Sequence, residues 1–209
     1  MKKDVSVVLI KIGGSLITDK NKPFSLKKRA LKIISQEVAR ARKSGKLLVV
    51  GHGAGSYAHV PAKKYKTKEG LVDAQSLYGL AEVADVAAQL NRIVVGSLLE
   101  EQVPAISVSP FSMMGADNDS LEWIEVQTIE EALKRELLPV VYGDVVLDTA
   151  KGCTIFSTET VLGNIGLTLQ SDGWHVERVI HCGQTNGVYD ADGETIPLIT
   201  PLTLDDYRE

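Results

Sequence analysis

Cysteine is scarce in this chain: there are two in 209 residues, Cys153 and Cys182, far apart and without the spacing of a metal-ligand set. That excludes a disulfide framework and a zinc site, and it fits a reducing cytoplasm. Long apolar runs are absent as well. The first hydrophobic stretch, Val5 to Ile10, is too short to cross a bilayer, and no small-residue cleavage site follows Met1-Lys2-Lys3-Asp4, so the expectation is an interior protein with no membrane segment. Neither sign of charge dominates: 23 Lys and Arg stand against 27 Asp and Glu, a net charge of −4, which speaks against a nucleic-acid partner. There are no repeats, linkers or low-complexity segments. With 44% hydrophobic and 24% charged residues, the expectation is one globular domain spanning 1–209.

Three familiar signatures are also missing. Gly53-x-Gly55-x-x-Ala58 follows a strand-like run, but the acid about 20 residues on, which a dinucleotide fold places at the end of the next strand, is Asp73, and Asp73 opens a helix. No Gly-x-x-x-x-Gly-Lys-Ser/Thr occurs, so the chain is not a P-loop protein. No Gly-x-Ser-x-Gly elbow with a triad is visible either.

What is present begins with Val5-Ser6-Val7-Val8-Leu9-Ile10-Lys11-Ile12-Gly13-Gly14-Ser15, an apolar β-branched run that breaks into glycines. It reads as a buried parallel strand opening into a loop of exposed N–H groups, where a phosphate can rest. Lys11, inside that strand, must bring its ammonium to the strand end and meet an anion, and Lys20 can reach the same place; the alternative is two solvated lysines beside an ordinary turn. Lys46 to Gly51 repeats the pattern, running into a second glycine-rich loop, Gly51 to His59. In an open parallel sheet ligands sit at such strand ends, so both loops are expected to face one crevice.

The remaining chain alternates. Helices are expected over 25–43, 73–101, 129–136 and 157–169, the last capped by Ser157; strands are expected over 104–108, 121–126, 139–142 and 176–182. Ser109 to Asp119 reads as a loop, and Lys151-Gly152 as the turn of a hairpin within 145–156. The expected fold class is α/β: an open, doubly wound, mainly parallel sheet sandwiched by helices. Two lysines, two glycine loops and the carboxylates Asp144 and Glu159 are the mixture that phosphoryl transfer requires, since cations and N–H groups must take up charge on the moving group.

Five blocks then resemble the amino acid kinase superfamily and, within it, the isopentenyl phosphate kinase family. They are Lys11-Ile12-Gly13-Gly14-Ser15-Leu16-Ile17-Thr18-Asp19-Lys20, His52-Gly53-Ala54-Gly55-Ser56-Tyr57-Ala58-His59, Val103-Pro104-Ala105-Ile106-Ser107-Val108, Tyr142-Gly143-Asp144-Val145-Val146 and Gly187-Val188-Tyr189-Asp190, in the family's order. The resemblance implies an amino acid kinase fold and a kinase that uses ATP and Mg²⁺. It implies catalytic roles for Lys11, Lys20, His59 and Glu159, and acceptor binding by Gly53, Ala54, Gly55, His59 and Asp144. It further implies nucleotide binding by Lys11, Gly13, Gly14, Ser15, Gly187 and Tyr189, with no protein-held metal site. Residues 1–143 would then form the acceptor part and 144–209 a partial nucleotide part.

The chain departs from the family pattern in three places. Glu159 in Ser157-Thr158-Glu159 stands where the family more often has the Asp of Ser-Gly-Asp, and Gly183-Gln184-Thr185-Asn186 carries amides where the family shows Thr-Asp-x-Asp. The chain also stops at Glu209, before the family's final glycine-rich segment, helix and strand. Two further readings stay open: a kinase of the same fold acting on another small phosphate or phosphonate, and a non-catalytic phosphate-binding relative. Ala84, Ala87, Ala88, Val94, Val95 and Leu98 spread beyond one helical stripe, which leads to the expectation of a homodimer.

Overall fold

The computed structural model describes residues 6–19 and 21–207. Its centre is a five-stranded, wholly parallel sheet in the order β3-β6-β2-β1-β9, built from β1 (Val7–Ile12), β2 (Leu47–His52), β3 (Ala105–Ser107), β6 (Leu138–Tyr142) and β9 (Val176–Cys182). The doubly wound expectation is met. Because side chains alternate along a strand, β1 divides its residues between two cores. Val8 and Ile12, with Val50 of β2, pack on α2 (Lys28–Arg42) and α4 (Ala74–Glu100) through Leu31, Val38, Leu90 and Val94. Val7 and Leu9, with Val49 and Val141, face α5 (Gln127–Lys134) and α6 (Thr158–Ser171) through Ile129, Leu133, Leu162 and Ile165. Fully buried aliphatics such as Leu9 and Leu90 each contribute about 1.5–3 kcal/mol by leaving water.

Two caps are in place: Asp73 closes a capping box with Ser76 at the start of α4, and the Ser157 hydroxyl accepts from Thr160 N–H at 3.1 Å at the start of α6. The cap expected at Ser25 is not: α2 starts only at Lys28, with Lys27 at its N-cap position and no side-chain cap bond. Two further expectations need correction. The second glycine stretch stops being a loop at Gly55, where α3 (Gly55–Lys64) begins, so His59 is helical; α1 (Gly14–Ile17) similarly follows the first loop. Ser109 to Asp119 is not one loop: β4 (Met114–Asp117) lies within it and pairs with β5 (Ser120–Ile124) and β7 (Asp144–Asp148), and β8 (Gly152–Phe156) completes a second, four-stranded sheet. Met113 and Met114 are buried beside Ala116, where that small sheet packs against the α6-side core.

The apolar residues that suggested a partner on α4 are largely internal: Ala87, Val94, Val95 and Leu98 are buried in their own chain, leaving Leu77, Tyr78, Ile93 and Leu99 exposed on that helix. At the other edge of the sheet, β9 shows Val179 and Ile180 to solvent, and most residues from 183 to 207 are exposed. No helix among the described residues is long and apolar enough to cross a membrane.

Candidate active site

The two glycine loops do more than face one crevice; their backbones touch. A Cβ on Gly14 would stand 2.6 Å from the nitrogen of Gly55 and 2.7 Å from its Cα, and one on Gly53 would stand 2.9 Å from the nitrogen of Gly14. Only glycine permits that approach. Gly55 also holds φ +54°, a left-handed conformation that side chains disfavour. A buried threonine fastens the pair: the Thr18 hydroxyl donates to the Gly14 carbonyl at 2.8 Å and accepts from the Ser56 N–H at 3.0 Å. Gly53 N–H donates to the Ile12 carbonyl and Gly13 N–H to that of Cys182, so both loops are tied to strand ends. The N–H groups of Gly14, Ser15, Ala54 and Gly55 find no acceptor among the described residues. Four unpaired donors around one contact, two of them at the start of the ten-residue α3, form a cradle suited to an anion.

Beside this cradle stands Lys11. The strand register aligns Lys11 with Gly51 of β2 and His181 of β9, and alternation puts all three on the α6 side of the sheet. Gly51 leaves room there for Thr158 and Leu162, which approach to 2.7 Å of where its Cβ would be, so the first turn of α6 closes down over the strand ends. Glu159, in that turn, meets the Lys11 ammonium at 2.6 Å. The lysine side chain is 16% exposed and the glutamate 50%. Partial burial pushes the Glu159 carboxyl upward, but the Lys11 ammonium, its own N–H and the His181 imidazole outweigh it, and the group sits below its usual value. The pair thus holds a cation at the carboxyl end of β1, just before the first glycine loop, and leaves it partly open to an incoming anion.

The other side of the sheet carries buried polar groups. Burial pushes the Asp144 carboxyl up to about 7, against the Val145 N–H at 2.8 Å and the Tyr142 hydroxyl, which favour its ionised form. Its 3% exposure sets it behind the cleft rather than open to it. His52, fully buried, has its imidazole lowered to about 4 by desolvation, with its bond to the Gly53 carbonyl opposing.

The remaining expected residues spread outward. His59 is exposed on α3 and lines a cleft of about 360 Å³ with Lys63, Lys66, Lys68 and Glu69. Gly187 and Tyr189 lie in an exposed excursion after β9, where Tyr189 bridges Thr195 and no hydrogen bond among the described residues joins either to the cradle. Lys20 lies outside the described residues. A cavity of about 1250 Å³ lies at the opposite, amino ends of the strands, lined in part by Arg40, Lys46, Leu138 and Trp174, and takes no part in this site. Sequence reasoning missed Thr18, whose only signal was its place one turn past the first glycines. It also missed Lys27, whose ammonium donates to the Ser15 carbonyl at 2.8 Å, and His181, visible only once β9 is paired with β1.

Among the described residues no group of three or more His, Cys, Asp or Glu could hold a metal ion. Comparison with known proteins agrees with this geometry. The model of the amino acid kinase family matches residues 6–209. The chain is 33% identical to an isopentenyl phosphate kinase of Haloferax volcanii, over 94% of this chain and 76% of that protein. It is 32% identical to one of Methanocaldococcus jannaschii, over 79% of this chain and 66% of that protein. It thus spans about two thirds to three quarters of the length of these relatives. A solved isopentenyl phosphate kinase structure superimposes with a TM-score of 0.79 at 30% identity, covering 88% of this chain and 75% of that one. The chain belongs to the amino acid kinase family, in the branch that holds the isopentenyl phosphate kinases.

Proposed function

We propose that this chain works as a kinase that moves the terminal phosphoryl group of ATP onto the phosphate of isopentenyl phosphate, giving isopentenyl diphosphate and ADP. The observation that carries the reading is the set of four unpaired N–H groups where Gly14 meets Gly55, with the Lys11 ammonium held beside them. An oxygen of the acceptor phosphate attacks the terminal phosphorus while the bond to the ADP oxygen breaks. A phosphate monoester is largely ionised near pH 7, so this step needs no general base. The site's work is to bring two anions together and offset their repulsion.

Lys11 takes up charge on the moving group and Glu159 orients it; Lys20 is assigned to the same charge. Gly53, Ala54 and Gly55 hold the acceptor phosphate with His59, whose neighbours Lys63, Lys66 and Lys68 draw anions to that side. Asp144 supports this wall from behind. The nucleotide falls to Lys11, Gly13, Gly14, Ser15, Gly187 and Tyr189, which divides the domain into an acceptor part, 1–143, and a nucleotide part, 144–209. The described side chains do not fit a resident metal, so Mg²⁺ enters this proposal only as the counter-ion of ATP. A homodimer that covers the exposed Ile93 and Leu99 and a cytoplasmic location that keeps Cys153 and Cys182 unpaired complete it.

The test is release of ADP with formation of the diphosphate when ATP, Mg²⁺ and isopentenyl phosphate are supplied, with other alkyl phosphates and phosphonates run in parallel. Preference for a polar acceptor would overturn the prenyl assignment. A second reading, a phosphate-binding relative without catalysis, is favoured by Gln184 and Asn186 and by the exposure of the segment around Gly187. Calorimetry decides between them: acceptor binding without ATP binding supports the second, and binding of both supports the kinase.

A further inference from the structure

His52 lies outside every role assigned above, yet it bonds to the segments that carry Gly53, Asp144 and Glu159. Its backbone carbonyl accepts from the Thr158 hydroxyl at 2.8 Å and from the Gly143 N–H at 3.2 Å, immediately before Glu159 and Asp144 respectively. Its ring stacks on Tyr142, with centroids 5.8 Å apart and planes 17° from parallel. One ring nitrogen, Nδ1, lies 3.3 Å from the Gly53 carbonyl oxygen, and the other, Nε2, lies 3.1 Å from the side-chain nitrogen of Asn91 on α4.

These contacts fix the tautomer. A carbonyl oxygen only accepts, so Nδ1 must carry the proton; a neutral ring then has a lone pair at Nε2, and Asn91 must present its NH₂ there. The arrangement is consistent with burial, which keeps the ring neutral. The Asn91 oxygen is left buried without a partner, a feature that calls for an explanation beyond packing.

We propose that Asn91 and His52 are positioning residues that hold the Gly53–Ala54 peptide in the orientation needed to bind the acceptor phosphate. In a trans peptide the C=O and the N–H point in opposite directions. With the Gly53 oxygen held inward by Nδ1–H, the Ala54 N–H turns away from the interior, and it has no acceptor among the described residues. A flipped peptide would present the carbonyl to the anion instead and repel it. The inference deepens the kinase reading and rests on it for the identity of the acceptor.

The test uses the full chain and two variants. In the unaltered protein, ¹⁵N NMR should show His52 as the neutral Nδ1–H form. Asn91→Asp, nearly isosteric, puts an acceptor opposite Nε2 and should move the proton there; acceptor affinity measured calorimetrically should fall about tenfold or more, with nucleotide affinity little changed. Asn91→Leu removes the donor without forcing the swap and should weaken acceptor binding less. An Nε2–H tautomer in the unaltered protein overturns the proposal, as does a swapped tautomer with unchanged affinity. If Asn91→Asp does not fold, the unaltered spectrum and the Asn91→Leu affinity still decide, because Asn91→Leu binding as tightly as the parent also overturns it. If isopentenyl phosphate fails to bind but inorganic phosphate binds, the acceptor assignment falls, and the same comparisons are made with phosphate. Binding of neither removes both.

Discussion

On the α6 side of the parallel sheet, the polar groups at the strand ends are charged and reach solvent; on the α4 side they are buried, and His52 and Asn91 are neutral. Lys11 and Glu159 belong to the first set, and His52, Asn91, Tyr142 and the Asp144 that bonds the Tyr142 hydroxyl to the second. The two sets are a few ångströms of backbone apart, because Lys11 and Ile12 point to opposite faces and their partners Gly51 and His52 do the same. The difference follows from desolvation. A cation that must receive an anion is cheapest where water still reaches it, whereas a group that only holds backbone in place can be buried if it is uncharged and hydrogen-bonded. Chemistry is therefore expected to respond to changes on the α6 side, and folding and loop geometry to changes on the α4 side.

The largest effect tests the first half of that statement. Lys11→Ala should lower kcat by about 10³-fold, since it removes the cation that Glu159 holds at the end of β1 and that takes up charge on the moving group. Urea unfolding should change little, because an ion pair with a half-exposed partner contributes little to stability. Steady-state kinetics that show full turnover would break the comparison at its centre.

Next comes the seam between the two sides. In Gly14→Ala the added methyl would stand 2.6 Å from the nitrogen of Gly55, against backbone that cannot yield without opening the cradle. The expected result is a loss of about 10²-fold in kcat/KM, the penalty of misplaced donors. A control at Gly96, where a Cβ meets nothing within 4 Å, should leave activity unchanged. Equal losses in both variants would show that the contact has no special role.

How much of this was legible in the sequence differs by side. Lys11 announced itself because a lysine in an apolar strand needs a reason, and Ser157 and Asp73 because caps act on residues three positions away. The course of the chain after Gly53 was misread, since three glycines between Gly51 and Gly55 suggest a loop as far as His59, yet Gly55 at φ +54° is the entry to α3. The His52–Asn91 pair was invisible: its members are 39 positions apart and meet only because α4 packs over the sheet against β3 and β6. β4 escaped notice although its partner β5 follows at once, because a run as short as Met114–Asp117 shows no alternation of its own.

A smaller effect tests the buried side through pH. The Asp144 carboxyl titrates at about 7 when folded, against 3.8 for the ordinary group. Between those values the folded chain keeps a proton that the unfolded chain has released, so stability falls as pH rises from about 4 to about 7 and is level above that. Asp144→Asn stays neutral throughout and should lack the fall. At about pH 8 the variant should be the more stable of the two, and at about pH 4 the two should nearly coincide. Urea midpoints at the two pH values measure this; parallel pH profiles would place Asp144 among the solvated groups and erase the contrast between the sides.

The smallest expected change in stability sharpens the comparison most, because it separates chemistry from folding at one residue. Glu159 is half exposed and bonded to Lys11, and its carboxyl sits below the usual 4.5. A lowered acid contributes stability that is present at neutral pH and lost as pH falls through the folded value. Solvent screens this contribution, so Glu159→Gln should shift unfolding at neutral pH by less than about 0.5 kcal/mol. Its effect on rate should be larger: the amide keeps a hydrogen bond to the ammonium but no longer attracts it, so Lys11 is less firmly aimed and kcat should fall about tenfold. Unfolding and single-turnover measurements on the same preparation read both quantities. A loss of several kcal/mol with unchanged turnover would make the Lys11–Glu159 pair a structural bond of the kind found on the α4 side, and the division between the two faces would fail there.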